Sequence, residues 1–252
     1  MKETKILGSR ISIINSYRQA YEEVLSFIKK GNAGYITVNN VHTVVTAVRD
    51  EYYKSIINKS YLSLPDGKPL SVIAKIKGEK QITRIFGPTF FEKSLEWGVP
   101  DGVKHFLFGG TEETQQKIMN KISETLPGCI IAGNIIPPFS EFSGEENSVY
   151  MNKINSVSPD IIWVALGAPK QERWIFENHK KLKRGVMIGI GAGFDYYAGN
   201  LKHAPRWMKK NSLEWFYRLM QEPGRLWKRY LTTNSLFLLY IVLELLRIRK
   251  FD

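Results

Sequence analysis

The chain has a single cysteine, Cys129, among 252 residues. An internal disulfide and a cysteine-cluster metal site are thereby excluded, and a reducing compartment such as the cytoplasm fits best. Long apolar runs are missing as well. The most apolar stretch, LFLLYIVLELL at 236–246, would extend about 16 Å as a helix, against roughly 30 Å of hydrocarbon in a bilayer, and Glu244 interrupts it. It is too short to cross a membrane and reads instead as a core helix, an oligomer contact or an interfacial helix. The first ten residues are polar and charged, so no secretory leader is expected at this end. There is no GxxxxGK[ST], no HExxH and no Cys/His ligand spacing. The Asp-x-Asp pair with which many sugar-nucleotide enzymes hold a divalent ion is also absent. Neither a metal nor a cofactor is therefore expected. The GIGAG at 189–193 fails as a dinucleotide fingerprint, because Phe194 stands where the third glycine belongs. That weakens a nicotinamide-dependent oxidoreductase.

Acidic residues are scarce, 24 against 36 Lys and Arg, for a formal net charge of +12. The excess is uneven. Residues 200–252 hold eleven Lys/Arg and four acids, so the last fifth of the chain carries over half of it. Such a block suits an anionic partner, either nucleic acid or an acidic membrane surface, or is simply a solvated basic face. Three of the six tryptophans (Trp207, Trp215, Trp227) fall in the same segment.

Short apolar runs alternate with amphipathic stretches up to Gly199. The runs at 34–38 (GYITV), 61–64, 104–108 (KHFLF), 129–132, 160–165 (DIIWVA) and 185–190 (GVMIGI) are rich in β-branched and aromatic residues and apolar on both faces, as buried parallel strands are. Helices are predicted over 16–30, 40–57, 111–126, 145–156 and 170–181. The alternation specifies an α/β fold with a mainly parallel, Rossmann-like sheet and flanking helices. Beyond residue 200 the pattern is helical only, with one helix predicted over 206–221 and a second starting at Pro223. The expected division is a catalytic α/β domain at 1–199 and an all-helical appendage at 200–252.

Open α/β sheets bind ligands at the carboxyl ends of their strands, and five polar or glycine-rich loops fall there: Thr37-Val-Asn39-Asn40, Pro65-Asp66-Gly67, Gly109-Gly110-Thr111, 167–172 (GAPKQE) and 191–195 (GAGFD). Singly each has a plain structural explanation. Pro-Asp-Gly is a turn, Thr37 or Asn39 can cap a helix, Gly109-Gly110 before a helix is a tight turn, and Gln171 and Glu172 suit a first helical turn. Together they would converge on one sheet edge. The histidines have weaker claims: His42 and His105 read as packing residues, His179 as exposed, and His203 as part of the basic segment.

The order of these loops resembles the WecG/TagA/CpsF glycosyltransferases of bacterial cell-surface polysaccharide synthesis. The matching stretches are TVNNVHTV (37–44), PDGKPL (65–70), FLFGG (106–110), PDIIWVALGAPKQERW (159–174), GIGAGFDYYAGNLKHAPRWM (189–208) and LEWFYRLMQEPGRLWKRYL (213–231). The resemblance implies inverting, metal-independent transfer of a sugar, of N-acetylmannosamine type, from a UDP-sugar to an undecaprenyl-diphosphate-linked GlcNAc or similar lipid-linked sugar. A UDP-glucose or glucuronic acid-type transferase and, remotely, a basic nucleic-acid-binding protein are the alternatives. The implied general base is Asp66, with Thr37 beside it. The resemblance places Gln171, in the PKQE motif, in the donor pocket, and the strand-end loops add Asn39, Gly109, Gly110, Glu172 and Asp195 to the expected donor site. Arg218 and Arg225, together with Lys228 or Arg229, would take the acceptor diphosphate. Where many relatives have proline after the first asparagine, this chain reads Thr-Val-Asn-Asn. The expected setting is the inner face of the plasma membrane, with peripheral attachment to anionic lipid and self-association through the C-terminal helices as a further contact; no nucleic-acid partner is expected.

Overall fold

The computed structural model describes residues 1–138, 142–210 and 213–251, apart from side chains 209 and 210. A hairpin of β1 (Glu3–Ile6) and β2 (Ser9–Ser12) opens the chain. Six strands then build one sheet: β3 (Ala33–Asn39), β4 (Leu62–Pro65), β5 (Lys104–Gly109), β6 (Ile130–Ile135), β7 (Ile161–Ala165) and β8 (Gly185–Gly189). Their order is β4-β3-β8-β7-β5-β6 and every neighbouring pair is parallel. The register sets Thr37 beside Ser63, Ile36 beside Ile188 and Leu107 beside Trp163. All six strands lie where the apolar runs predicted them. Their side chains feed two cores, one on each face, around Trp163, Phe90, Phe91 and Phe194 on one side and Phe106, Phe108, Ile162 and Trp174 on the other. That double burial is the reason the strands read as continuous apolar segments and not as alternating ones.

Helices α1 (Tyr17–Lys29), α2 (Val41–Arg49), α3 (Glu51–Lys59), α4 (Lys68–Ile76), α5 (Gly87–Asp101), α6 (Glu112–Thr125), α7 (Gly144–Val157), α8 (Lys170–Asn178) and α9 (Gly193–Tyr197) connect the strands. Helix α1 starts where the Ser16 side chain accepts from Gln19 N–H, and it buries Ala20, Tyr21, Val24 and Ile28 on one stripe. Asn40, not Thr37 or Asn39, caps α2. The sequence pattern did not anticipate the hairpin, α4 or α5. Helix α4 begins directly on the Pro-Asp-Gly turn, with proline in its first turn. Helix α5 buries Gly87, Pro88, Phe90, Phe91, Ser94, Leu95 and Gly98, a mixture of small and large residues without a clean apolar stripe.

Past residue 200 the helix predicted over 206–221 is two, α10 (Arg206–Lys210) and α11 (Glu214–Gln221), followed by α12 (Pro223–Leu245). Helix α12 packs on α2. Its Phe237 and Ile241 join a third core with Ile6, Leu7 and Ile11 of the hairpin and Val44, Val45, Leu70 and Ala74 of α2 and α4. The apolar stretch 236–246 is therefore divided: two residues serve as core, while Leu238, Leu239, Val242, Leu245 and Leu246 are exposed. No helix among the described residues is long and apolar enough to cross a membrane.

Candidate active site

A cavity of about 800 Å³ opens over the carboxyl ends of all six sheet strands and is closed on its far side by α11 and α12. Residues 66–67, 109–111, 165–168, 170–172, 189–192 and 195, from four of the five strand-end loops singled out in the sequence, line it, together with Asn40 of the first.

Asp66 follows β4 on a turn held by two backbone bonds, from the amides of Asp66 and Gly67 to the Asn39 carbonyl (2.7 and 3.2 Å). Its Oδ1 accepts from Gly87 N–H at 3.2 Å, at the start of α5. Arg84 contributes twice: its Nε donates to the Asp66 backbone carbonyl, and a terminal nitrogen stands 3.9 Å from Oδ1. Burial raises the Asp66 carboxyl above its ordinary value, against the opposing pull of Arg84, the Gly87 amide, Arg218 and the Asn40 side chain. A desolvated carboxylate that stays within reach of cations is suited to taking a proton.

Gly109 and Gly110 have φ of +104° and +74°. A Cβ on Gly109 would lie 2.4 Å from the Ala165 carbonyl oxygen, and one on Gly110 would lie 3.2 Å from the Phe194 ring. Glycine alone lets β5 end against β7 and lets the following helix, α6, begin at the cavity wall, capped by Thr111. The N-terminus of a fourteen-residue helix favours an anion there. Across the sheet, Gln171 is buried at the start of α8; its Oε1 accepts from Gly191 N–H (3.0 Å) and its Nε2 donates to Glu172 Oε1 (2.6 Å). This side chain ties the two loops following β7 and β8 together. Burial raises the Glu172 carboxyl. Asp195, at the first turn of α9, lines the same cavity and accepts from Asn200 (3.3 Å).

The opposite wall is cationic. Arg218 of α11 and Arg225 and Arg229 of α12 line the cavity. Glu222, between the two helices, takes the Arg225 guanidinium through Nε at 2.9 Å and a terminal nitrogen at 2.6 Å, and Arg218 Nε at 3.4 Å. Arg229 Nε is buried without a partner, and burial together with the charges of Arg218 and Arg225 lowers its pKa. Lys228 is exposed, beside the Trp227 ring and outside the cavity lining. Of the two basic candidates, Arg229 faces the cavity.

Two further placements correct the sequence analysis. Thr37 and Asn39 do not line the cavity. Both side chains are buried beneath it, in a cluster where Asn39 Nδ2 donates to Thr37 Oγ1 (2.9 Å) and to Ser63 Oγ (2.8 Å), and Thr37 meets Ser60 Oγ at 3.2 Å. The pleat explains this: Thr37 and Asn39 share one face of β3, and the chain turns at Asn40, which points into the cavity. His42, read as a packing residue, lines the cavity near Arg229; burial and that charge lower its pKa to about 4, and Nδ1 has no partner. Arg84, Glu214, Tyr196 and Glu222 also line the cavity, yet none was singled out from the sequence: Tyr196, Glu214 and Glu222 lie within the matching stretches without a role assigned, and Arg84 lies outside them. Among the described residues no three His, Cys, Asp or Glu side chains gather as a metal site.

A parallel α/β sheet whose strand ends hold a desolvated carboxylate opposite an arginine-lined wall suits transfer of a group between anionic substrates, and the comparisons with known proteins give the class: the protein is a glycosyltransferase. The chain belongs to the glycosyl transferase WecG/TagA/CpsF family, whose model matches residues 4–251. It is similar to an N-acetylglucosaminyldiphosphoundecaprenol N-acetyl-beta-D-mannosaminyltransferase of Bacillus subtilis, 30% identical over 88% of this chain and 85% of the relative. A Bacillus spizizenii protein of the same name is 28% identical over 87% and 86%, and one from Staphylococcus aureus 26% identical over 84% and 80%.

Proposed function

We propose that this chain transfers an N-acetylmannosamine-type sugar from a UDP-sugar to a GlcNAc carried on undecaprenyl diphosphate, with inversion and without a metal, in the synthesis of a cell-surface polymer. The names of three relatives similar over more than four-fifths of the chain support the sugar and the acceptor. The observation that carries the chemistry is Asp66: a carboxylate whose basicity burial has raised, at a strand end inside an 800 Å³ cavity with arginines on the facing wall.

In this reading the Asp66 carboxylate accepts the proton of the acceptor hydroxyl as that oxygen bonds to the anomeric carbon, on the face opposite the departing UDP. The leaving diphosphate gathers negative charge, which the N-terminus of α6 and the Gly109-Gly110 turn are placed to receive. Gln171 fixes the loops around the donor. Arg218, Arg225 and Arg229 hold the acceptor diphosphate, for which the planar guanidinium fork suits paired oxygens better than an ammonium does. Residues 1–199 carry the donor site and base, and 200–252 form an appendage that supplies the acceptor wall. The exposed apolar residues of α12, among Arg225, Lys228, Arg229, Arg247, Arg249 and Lys250, lay this appendage on an anionic membrane surface at the cytoplasmic face.

The test is a panel of UDP-sugars offered with a short-chain polyprenyl-diphosphate-GlcNAc in EDTA. UDP-N-acetylmannosamine should give a disaccharide lipid of inverted anomeric configuration. Preference for UDP-glucose or UDP-glucuronic acid would overturn the donor assignment, and a rate that appears only on adding Mg²⁺ or Mn²⁺ would overturn the metal-free mechanism.

A further inference from the structure

Arg84 is shared between two carboxylates that approach from different parts of the chain. On one side lies Asp66, whose Oδ1 is 3.9 Å from the guanidinium, beyond hydrogen-bond range. On the other lies Glu214, in the first turn of α11, which pairs directly with another terminal nitrogen of Arg84. The guanidinium is held in this position by its Nε bond to the Asp66 backbone carbonyl and by the Phe86 ring, 4.7 Å away. All three charged side chains are about one-fifth exposed. The cation nearest the reactive carboxylate therefore spends its close contact on a different acid, and Glu214 has no part in the transfer chemistry outlined above.

We propose that Glu214 is a positioning residue: by pairing with Arg84 it holds that guanidinium back from the Asp66 carboxylate and so keeps Asp66 basic enough to take the acceptor proton. The inference rests on the reading of Asp66 as general base and adds what sets its strength. An Arg84 released from Glu214 would close on Oδ1, stabilise the carboxylate and make it a weaker base; losing the Glu214 charge acts in the same direction. The other groups around Asp66 are Arg218 from α11, Tyr17 from α1 and Tyr196 from α9, with Asn40 uncharged beside it. Lys68 of α4, His42 of α2, Glu222 and Arg225 and Arg229 of α12 line the same cavity. Arg84 and Glu214 themselves are in direct contact.

The experiment is the pH profile of kcat/KM for the full-length chain and its Glu214→Gln, Glu214→Asp and Asp66→Asn variants, with UDP-N-acetylmannosamine and a short-chain polyprenyl-diphosphate-GlcNAc. The base must be ionised, so activity falls as pH drops through its pKa. In Glu214→Gln that acid limb should move down by about one pH unit, and kcat on the plateau should fall roughly three- to tenfold, as expected of a weaker base. Glu214→Asp keeps the charge on a shorter arm and should move the limb less, in the same direction. If Glu214→Gln does not fold, judged by circular dichroism, Glu214→Asp alone carries the test. A Glu214 that only docks α11 would raise the acceptor KM at every pH and leave the limb unmoved, which would overturn the inference. An inactive Asp66→Asn beside an unmoved limb defeats the inference alone; wild-type turnover in Asp66→Asn defeats the base reading and the inference with it.

Discussion

Arg229 and Lys228 are neighbours in sequence that face different surroundings, one half-buried at the cavity wall and the other exposed beside Trp227. We expect Arg229→Ala to raise the KM for the lipid-diphosphate acceptor by roughly 10- to 100-fold, the loss of one charge-assisted contact of about 1.5–3 kcal/mol. Lys228→Ala should change it less than threefold, and steady-state kinetics with varied acceptor separates the two; equal effects would contradict the placement. At this scale the sequence was legible where a local motif brings a residue to the cavity. Asp66, Gly109, Gly110 and Gln171 sit in strand-end loops that their own short motifs, Pro-Asp-Gly, Gly-Gly-Thr and Pro-Lys-Gln-Glu, mark in the sequence. It was illegible where the role arises from a distant partner. Arg84 falls in a segment without periodicity, and what marks it is contact with Glu214, 130 positions further on. Thr37 and Asn39 show the converse: at the right end of the right strand, they are turned by the pleat into a buried polar cluster.

Among the elements, the five sheet strands other than β6 could be read because burial on both faces leaves mostly apolar runs, while β6, at the sheet edge and half exposed, was read from its short isoleucine-rich run. Helix α5 could not, since a helix packed on several sides shows no single stripe, and the short β1–β2 hairpin gives too few residues for a period. The 236–246 stretch combined two signals in one segment. Its Phe237 and Ile241 anchor α12 to the hairpin and α2, Leu236, Tyr240 and Leu243 pack half-buried beside them, and Leu238, Leu239, Val242, Leu245 and Leu246 stay exposed. Phe237→Ala should therefore destabilise the chain by about 3 kcal/mol, as deletion of a buried ring does, measured by urea unfolding. Leu238→Ala, at a side chain 66% exposed, should cost well under 1 kcal/mol. A similar cost for both would mean that α12 is not anchored through Phe237. Removal of everything after Tyr230 strips the same anchor from the hairpin core, so a loss of stability is expected there in addition to any loss of lipid contact.

For the molecule as a whole, one cavity draws on both ends of the chain's charge distribution: glycine turns and helix α6 on the sheet side, arginines of the basic segment on the other. The exposed Leu238, Leu239, Val242 and Leu245 lie on the same helix as Arg225 and Arg229, with the exposed Leu246 at its C-terminal cap. Replacing Leu238, Leu239 and Val242 together with serine should reduce sedimentation with anionic liposomes at least tenfold while leaving the fold intact by circular dichroism. Unchanged sedimentation would mean that another surface meets lipid. The claim on which the rest depends is that the Asp66 carboxylate takes the acceptor proton. Asp66→Asn retains the shape and removes the basicity. Single-turnover transfer from UDP-N-acetylmannosamine, measured alongside UDP affinity, should show a rate reduced roughly 10²- to 10⁴-fold with UDP binding within a factor of about three of wild type. Transfer at the wild-type rate by a folded Asp66→Asn protein would reduce Asp66 to a turn residue and contradict the mechanism.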